Sequence, residues 1–155
     1  MPVVDGWDRF DADDWRAFAR AWFAGHDAIP PTGRVEAFAR RLHATISPSG
    51  ADPDLGLLVV LMNFTASPAA QWAFALAAVA EATSDADLGQ VAAGPLEHLL
   101  GEHGEAWIDG VERQAAADPT FARALTGVWR HRMTPAVWAR VQAQQARVAD
   151  PLDRG

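Results

Sequence analysis

The chain has 155 residues, 50% of them hydrophobic and 21% charged, with a formal net charge of −7 and a sequence pI near 5.0. That is enough chain for one compact domain with a sizeable core, and its composition excludes a wholly disordered protein. Cysteine, lysine and tyrosine are absent, which excludes disulfides, thiolate metal sites, cysteine nucleophiles, Schiff-base chemistry and a phosphate-loop lysine.

The first stretch, "MPVVDGWDRFDADDW", has neither a basic leader nor an apolar core of signal-peptide length, so a cytoplasmic protein is expected. The acidic run Asp11, Asp13, Asp14 suits the positive end of a helix dipole. It opens a helix with Trp15, Phe18, Ala19 and Trp22 on one face, ending near Gly25. The stripe Trp7, Phe10, Trp15, Phe18, Trp22 is expected to be core. After the turn "AIPPTG", Thr32 caps a second helix carrying Val35, Phe38, Ala39, Leu42 and Ile46, and "SPSGAD" stops it.

Asp52-Pro53 opens a third helix, and Ser67-Pro68 opens an alanine-rich fourth. The uncharged residues between Asp54 and Glu81 are interrupted by Asn63, Thr65, Ser67, Pro68 and Gln71. No run approaches 18 apolar residues, so a buried hairpin is expected rather than a membrane span. Asn63-Phe64-Thr65 matches a glycosylation sequon but sits in an apolar helix, and it is set aside.

In the stretch 87–104, Leu88, Val91, Ala92, Pro95, Leu96, Leu99 and Leu100 keep a three-four spacing straight through Gly94-Pro95. That phase predicts one helix kinked at Pro95, with the backbone bond to Val91 lost. The alternative has Gly94 ending one helix and Pro95 starting the next. Ala92, Ala93 and Gly94 are expected to form a small-residue face for close helix packing. Downstream, Trp107, Ile108, Val111 and Ala115 mark another helix. Asp118-Pro119 and Thr134-Pro135 cap the last two, and residues 150–155 are expected as a frayed tail.

The expected fold is therefore all-α: an irregular array of about eight helices stacked as antiparallel pairs, a bundle or short solenoid, forming one domain over residues 1–155. The segments A-A-G-P-L-E-x-L-L, H-G-x-x-x-I-D-x-V-E and D-P-x-F-x-x-A-L-x-G-V-W, between about Asp85 and Trp129, resemble an uncharacterised family of bacterial helical domains. The resemblance implies an all-α bacterial protein and brings no activity with it. The chain departs from that family's pattern at His98, where aspartate is commoner, and at Gly110, where a basic residue is commoner.

No nucleophile elbow, H-E-x-x-H, phosphate loop or G-x-G-x-x-G motif occurs. His98 and Glu102, four apart, share a helix face; with His103 and Asp109 they form the candidate set for a small metal-dependent enzyme or metal-sensing domain. The competing reading is a solvated polar face. His26, His43 and His131 stand alone. Charge is divided along the chain: residues 50–119 are strongly acidic with Arg113 as their one base, whereas 120–149 carry Arg123, Arg130, Arg132, Arg140 and Arg147 and no acid. Either these arginines complement the acidic middle, or they form a ligand-facing patch around Trp129, Arg130, Arg132, Trp138 and Arg140, opposite Glu97, Glu102 and Asp109. Arginine and tryptophan are the types enriched at binding hot spots. The leading expectation is a non-enzymatic protein-binding module without a cofactor, such as an immunity or antitoxin-like inhibitor that docks a basic toxin or effector through an acidic surface. Nucleic acid is disfavoured by the net charge and the lack of a recognisable motif, and no membrane partner is expected.

Overall fold

The structure, a computed structural model, describes residues 6–25, 33–46 and 55–154. Among these residues there is no strand, and the chain forms eight α-helices: α1 (Ala12–Ala24), α2 (Gly33–Ile46), α3 (Leu55–Thr65), α4 (Pro68–Glu81), α5 (Asp85–Val91), α6 (Glu97–Ala117), α7 (Pro119–Leu125) and α8 (Pro135–Gln145). A 3₁₀ turn, Trp7–Arg9, precedes α1, and a π turn, Ala92–Leu96, joins α5 to α6. The expected all-α array is present. The caps at Thr32 and Asp52-Pro53, the turns around them, and His26 lie outside the described residues. None of the described helices is long and apolar enough to cross a membrane.

Helix starts follow local hydrogen-bond chemistry. Asp11 and Asp14 form a reciprocal capping box, with the Asp14 N–H donating to Asp11 at 2.8 Å and the Asp11 N–H to Asp14 at 3.0 Å. Ser67, Ser84, Asp118 and Thr134 each accept a first-turn N–H of α4, α5, α7 and α8. Such a cap contributes about 1 kcal/mol by satisfying a donor that the helix itself leaves open.

The chain divides into two compact units, Met1–Glu81 and Ala82–Gly155. In the first, α1 packs along α4 around an aromatic centre. Trp7 is fully buried, stacks on Trp15 at 6.0 Å and meets Phe38 edge-on at 4.6 Å; Phe18 and Phe74 complete the cluster at 5.4 Å. Aromatic pairs of this kind add about 0.5–1.5 kcal/mol beyond their buried area. The indole N–H of Trp7 donates to Thr65 Oγ1 at 2.9 Å, so this ring is buried without an orphaned donor. Of the expected aromatic stripe, Trp7, Phe10, Trp15 and Phe18 are core, and Trp22 is half-buried. Asn63 is buried in α3, out of reach of a glycan.

In the second unit α6 packs against α7 and α8, burying Leu99, Leu100, Ile108, Val111, Phe121, Leu125, Val137 and Val141. Each such side chain contributes roughly 1.5–3 kcal/mol on leaving water. The Gly-Pro pair does not break the chain direction: backbone angles stay helical at Val91, Ala92, Leu96 and Glu97. Proline is accommodated by widening one turn, in which the Glu97 N–H reaches back five residues to the Ala92 carbonyl. Gly94 is not the close-packing residue expected, since a Cβ there would meet nothing within 4 Å. Its use is local: a Cβ before proline clashes with the proline ring in helical backbone, and glycine has none.

The expected frayed tail is a correction. Leu152 is buried, its N–H donates to Thr126 Oγ1 at 2.9 Å, and the Arg154 guanidinium donates to the Thr126 carbonyl at 2.7 Å. Residues 150–154 close over the end of α7, where a buried leucine and two backbone-directed bonds offset the entropy of ordering a terminus.

Candidate functional site

The site lies in the second unit, where the loop between α7 and α8 (residues 126–134) runs against α6. Gly101 permits this approach, Gly104 that of α8 to α6, and Gly127 that of the loop to the π turn. A Cβ on Gly101 would fall 2.5 Å from the His131 carbonyl oxygen, one on Gly104 2.9 Å from Val137, and one on Gly127 2.9 Å from Ala92. Beside them α6 loses helical geometry at His103, with φ −132° and ψ 19°. The loop carries strain of its own at Arg132, with φ 57°, a left-handed conformation that costs a non-glycine residue about 1–2 kcal/mol. A cavity of about 400 Å³ opens at the kink, lined by Gly101, Glu102, His103, Gly104, Thr134 and Val137 among others.

Around this crossing the charged residues singled out in the sequence find one another. Arg132 donates to Glu102 at 2.8 Å. Arg140 donates to Asp109 at 2.6 Å and, through two nitrogens, to Glu112 at 2.6 and 2.9 Å. Arg123 forms a fork with Asp85 and also faces Asp150. Arg123, Arg132 and Arg140 thus complement acids of the middle, whereas Arg130 and Arg147 pair with no carboxylate among the described residues. These bonds hold the Glu112 and Asp85 carboxyls below the usual carboxylate range and raise the Arg140 guanidinium. Arg130 is exposed and forms no carboxylate pair among the described residues, and Trp138 is half-buried on α8.

Glu97 is half-buried and accepts the Trp129 N–H at 2.8 Å. Burial pushes its carboxyl pKa up, against the pull of that N–H and of His131. His98 is shifted down, first by burial and then by the positive charges of His103, His131 and Arg132, with Glu102 opposing. His131 is therefore not the solitary histidine expected, because the loop brings it beside the Glu97–His98 turn. Among the described residues no three metal-ligating side chains converge. The candidate set His98, Glu102, His103 and Asp109 is not drawn together, and two of its carboxylates are already held by arginines.

Trp129 is the exposed element of the site. The residue is 56% exposed, yet it is fixed at two points: its backbone N–H on Glu97, and its ring under the Arg154 guanidinium at 5.0 Å. Beside it lies a cavity of about 350 Å³ lined by Asp85, Gly89, Ala93, Leu152 and Arg154 among others. Sequence reasoning found Trp129 by residue type but missed Arg154 and Leu152, which were assigned to a loose tail. It also missed Gly101 and Gly104, whose spacing alone does not say what approaches them.

Fold and site define an all-α protein in which a strained loop crosses a broken helix and presents one anchored tryptophan. The chain belongs to the family of unknown function DUF6869, whose model matches residues 55–149. The matched span includes the motif-bearing stretch 85–129. No curated protein and no solved structure is similar enough to match the chain.

Proposed function

We propose that the protein is a non-enzymatic protein-binding module whose contact surface centres on Trp129, with Arg130, Arg132 and Glu102 at its rim. An immunity or antitoxin-like inhibitor of a basic toxin or effector is the concrete form. The observation that carries this reading is the anchored exposure of Trp129: a large ring in solvent beside a cavity of about 350 Å³, covered on one face by Arg154, on a backbone whose N–H is held by Glu97. A ring ordered before contact loses little entropy on binding, and tryptophan is the residue type most enriched where truncation costs most.

The net charge of −7 favours a basic partner at long range. Close contacts are a separate matter, since Glu102, Asp109 and Glu112 already serve the protein's own arginines. The acidic character therefore acts on the rate of encounter more than on the tightness of the complex. Capture from an extract of the source organism with immobilised wild-type and Trp129→Ala protein tests the proposal. A basic protein retained in stoichiometric amount by the wild type and lost by the variant supports it. Equal retention by both, or capture of acidic proteins only, overturns it.

A further inference from the structure

The first unit holds a second candidate site, outside the residues that the family model matches. On α2, Arg34, Phe38 and Arg41 fall at steps of four and three and so share one helix face. Against that face sits the 3₁₀ turn, whose Gly6 lies so close to Phe38 that a Cβ would be 2.2 Å from the ring. Gly6 has φ +137°, a conformation that itself favours glycine. This close seating brings Arg9 and Phe10 up to α2 and encloses a cavity of about 440 Å³ lined by Gly6, Arg9, Phe10, Arg34, Phe38 and Arg41, with Ala37 between them. Its floor is aromatic, with Phe10 and Phe38 nearly buried and 5.5 Å apart edge to face. Arg9, Arg34 and Arg41 are the charged residues of its lining, with no carboxylate among the described lining residues.

How the arginines of this unit are occupied separates Arg9 and Arg41 from the rest. Arg16 and Arg20 both bind Glu81, and Arg40 binds Glu36. Arg9 and Arg41 have no carboxylate within reach among the described residues. Arg41 instead lies over the Phe38 ring at 5.8 Å, which places its charge above the cavity floor. Arg34 is already paired, through one nitrogen: its Nη1 donates to the Asp14 carboxylate at 3.1 Å and to the Arg9 carbonyl at 3.2 Å, and lies 4.0 Å from the Asp11 carboxylate. Its remaining donors have no partner among the described residues. Among the described residues Arg113, Arg130, Arg147 and Arg154 also lack carboxylate pairs, but none of the described cavities gathers two of them.

We propose that this cradle binds a small phosphate-bearing polyanion, of the pyrophosphoryl class. Three guanidinium charges around one cavity match a ligand with several negative charges better than a single carboxylate. Arginine's planar fork suits phosphate oxygens in pairs. Arg34 and Arg41 are separated by roughly 10 Å along the helix axis, which favours an elongated anion over a compact one. The aromatic floor lowers the local dielectric and strengthens each charge contact.

The test is isothermal titration of the full-length protein with inorganic pyrophosphate, inorganic phosphate and a short single-stranded oligonucleotide. Pyrophosphate is expected to bind at least tenfold more tightly than phosphate. Arg9→Gln and Arg41→Gln, both at exposed side chains, are each expected to weaken it at least tenfold with the ligand-free melting temperature unchanged. Arg147→Gln, which removes the same charge from the second unit, should leave binding as it was. No binding of pyrophosphate, an equal loss with Arg147→Gln, or binding of the oligonucleotide alone overturns the proposal.

Discussion

The backbone carbonyl of His131 occupies the space in which a side chain on Gly101 would begin, 2.5 Å from the position of its Cβ. Backbone cannot turn aside as a side-chain tip does, so Gly101→Ala must push the loop off α6. A loss of about 1–3 kcal/mol is expected, as for other overpacked sites. Gly104→Ala meets the Val137 side chain at 2.9 Å, which has some freedom to shift, and should cost less. Gly89→Ala on α5 meets nothing within 4 Å and should stabilise by up to about 1 kcal/mol through helix propensity. Urea melts of the three variants check the order; a neutral Gly101→Ala would remove the tight crossing.

The same loop sets a pH dependence. The folded-state pKa of His98 is depressed by burial and neighbouring positive charge, so below its ordinary value of 6.5 the unfolded chain binds more protons than the folded one. Its contribution to stability is present above that pH and is lost as pH falls through the depressed value. Glu97 runs the other way: its raised pKa favours the folded state at low pH, and this is lost as pH rises from about 4.5 through the raised value. His98→Gln should therefore remove part of the fall in stability seen on acidification from pH 7 to pH 5.5. Denaturant melts at the two pH values measure it, and an unchanged pH slope would contradict the assigned surroundings of His98.

The Arg140 bridge to Asp109 and Glu112 is a surface network, with Asp109 67% exposed. Exposed pairs are largely offset by solvent and side-chain entropy. Arg140→Gln should lower the melting temperature slightly at low salt, and the difference should vanish near 1 M salt, where the screening length is about 3 Å. A large loss that persists at high salt would mean that the guanidinium packs rather than pairs.

In the first unit Thr65 Oγ1 accepts the indole N–H of the fully buried Trp7. Thr65→Val keeps the shape and orphans the donor, with an expected cost of about 1–3 kcal/mol. Thr65→Ser, which retains the oxygen, should recover most of that difference. Thermal unfolding of the pair distinguishes a lost bond from a lost methyl contact.

Helix identity was legible because caps and apolar spacing agree: Ser67, Asp118 and Thr134 all cap where the sequence places them, and the acidic run at Asp11, Asp13 and Asp14 does open α1. The continuity of α5 into α6 was legible from the unbroken phase of Leu88 to Leu100. The π turn was not, because hydrophobic spacing does not record which carbonyl an N–H reaches. Charge counting along the chain separated acids from arginines. Only the folding of α8 and the loop back onto α6 revealed that Arg132 and Arg140 neutralise Glu102, Asp109 and Glu112. The docked tail was hidden for a similar reason, since Leu152 looks terminal in sequence and is core only because Thr126 waits to receive its N–H.

The proposed role of Trp129 as a partner anchor is tested most directly by the Kd of the captured, purified partner for the wild type and for Trp129→Ala, measured by titration in the same buffer with melting temperatures shown to be equal. At least a tenfold weakening is expected, equivalent to about 1.4 kcal/mol. An unchanged Kd would rule the anchor out.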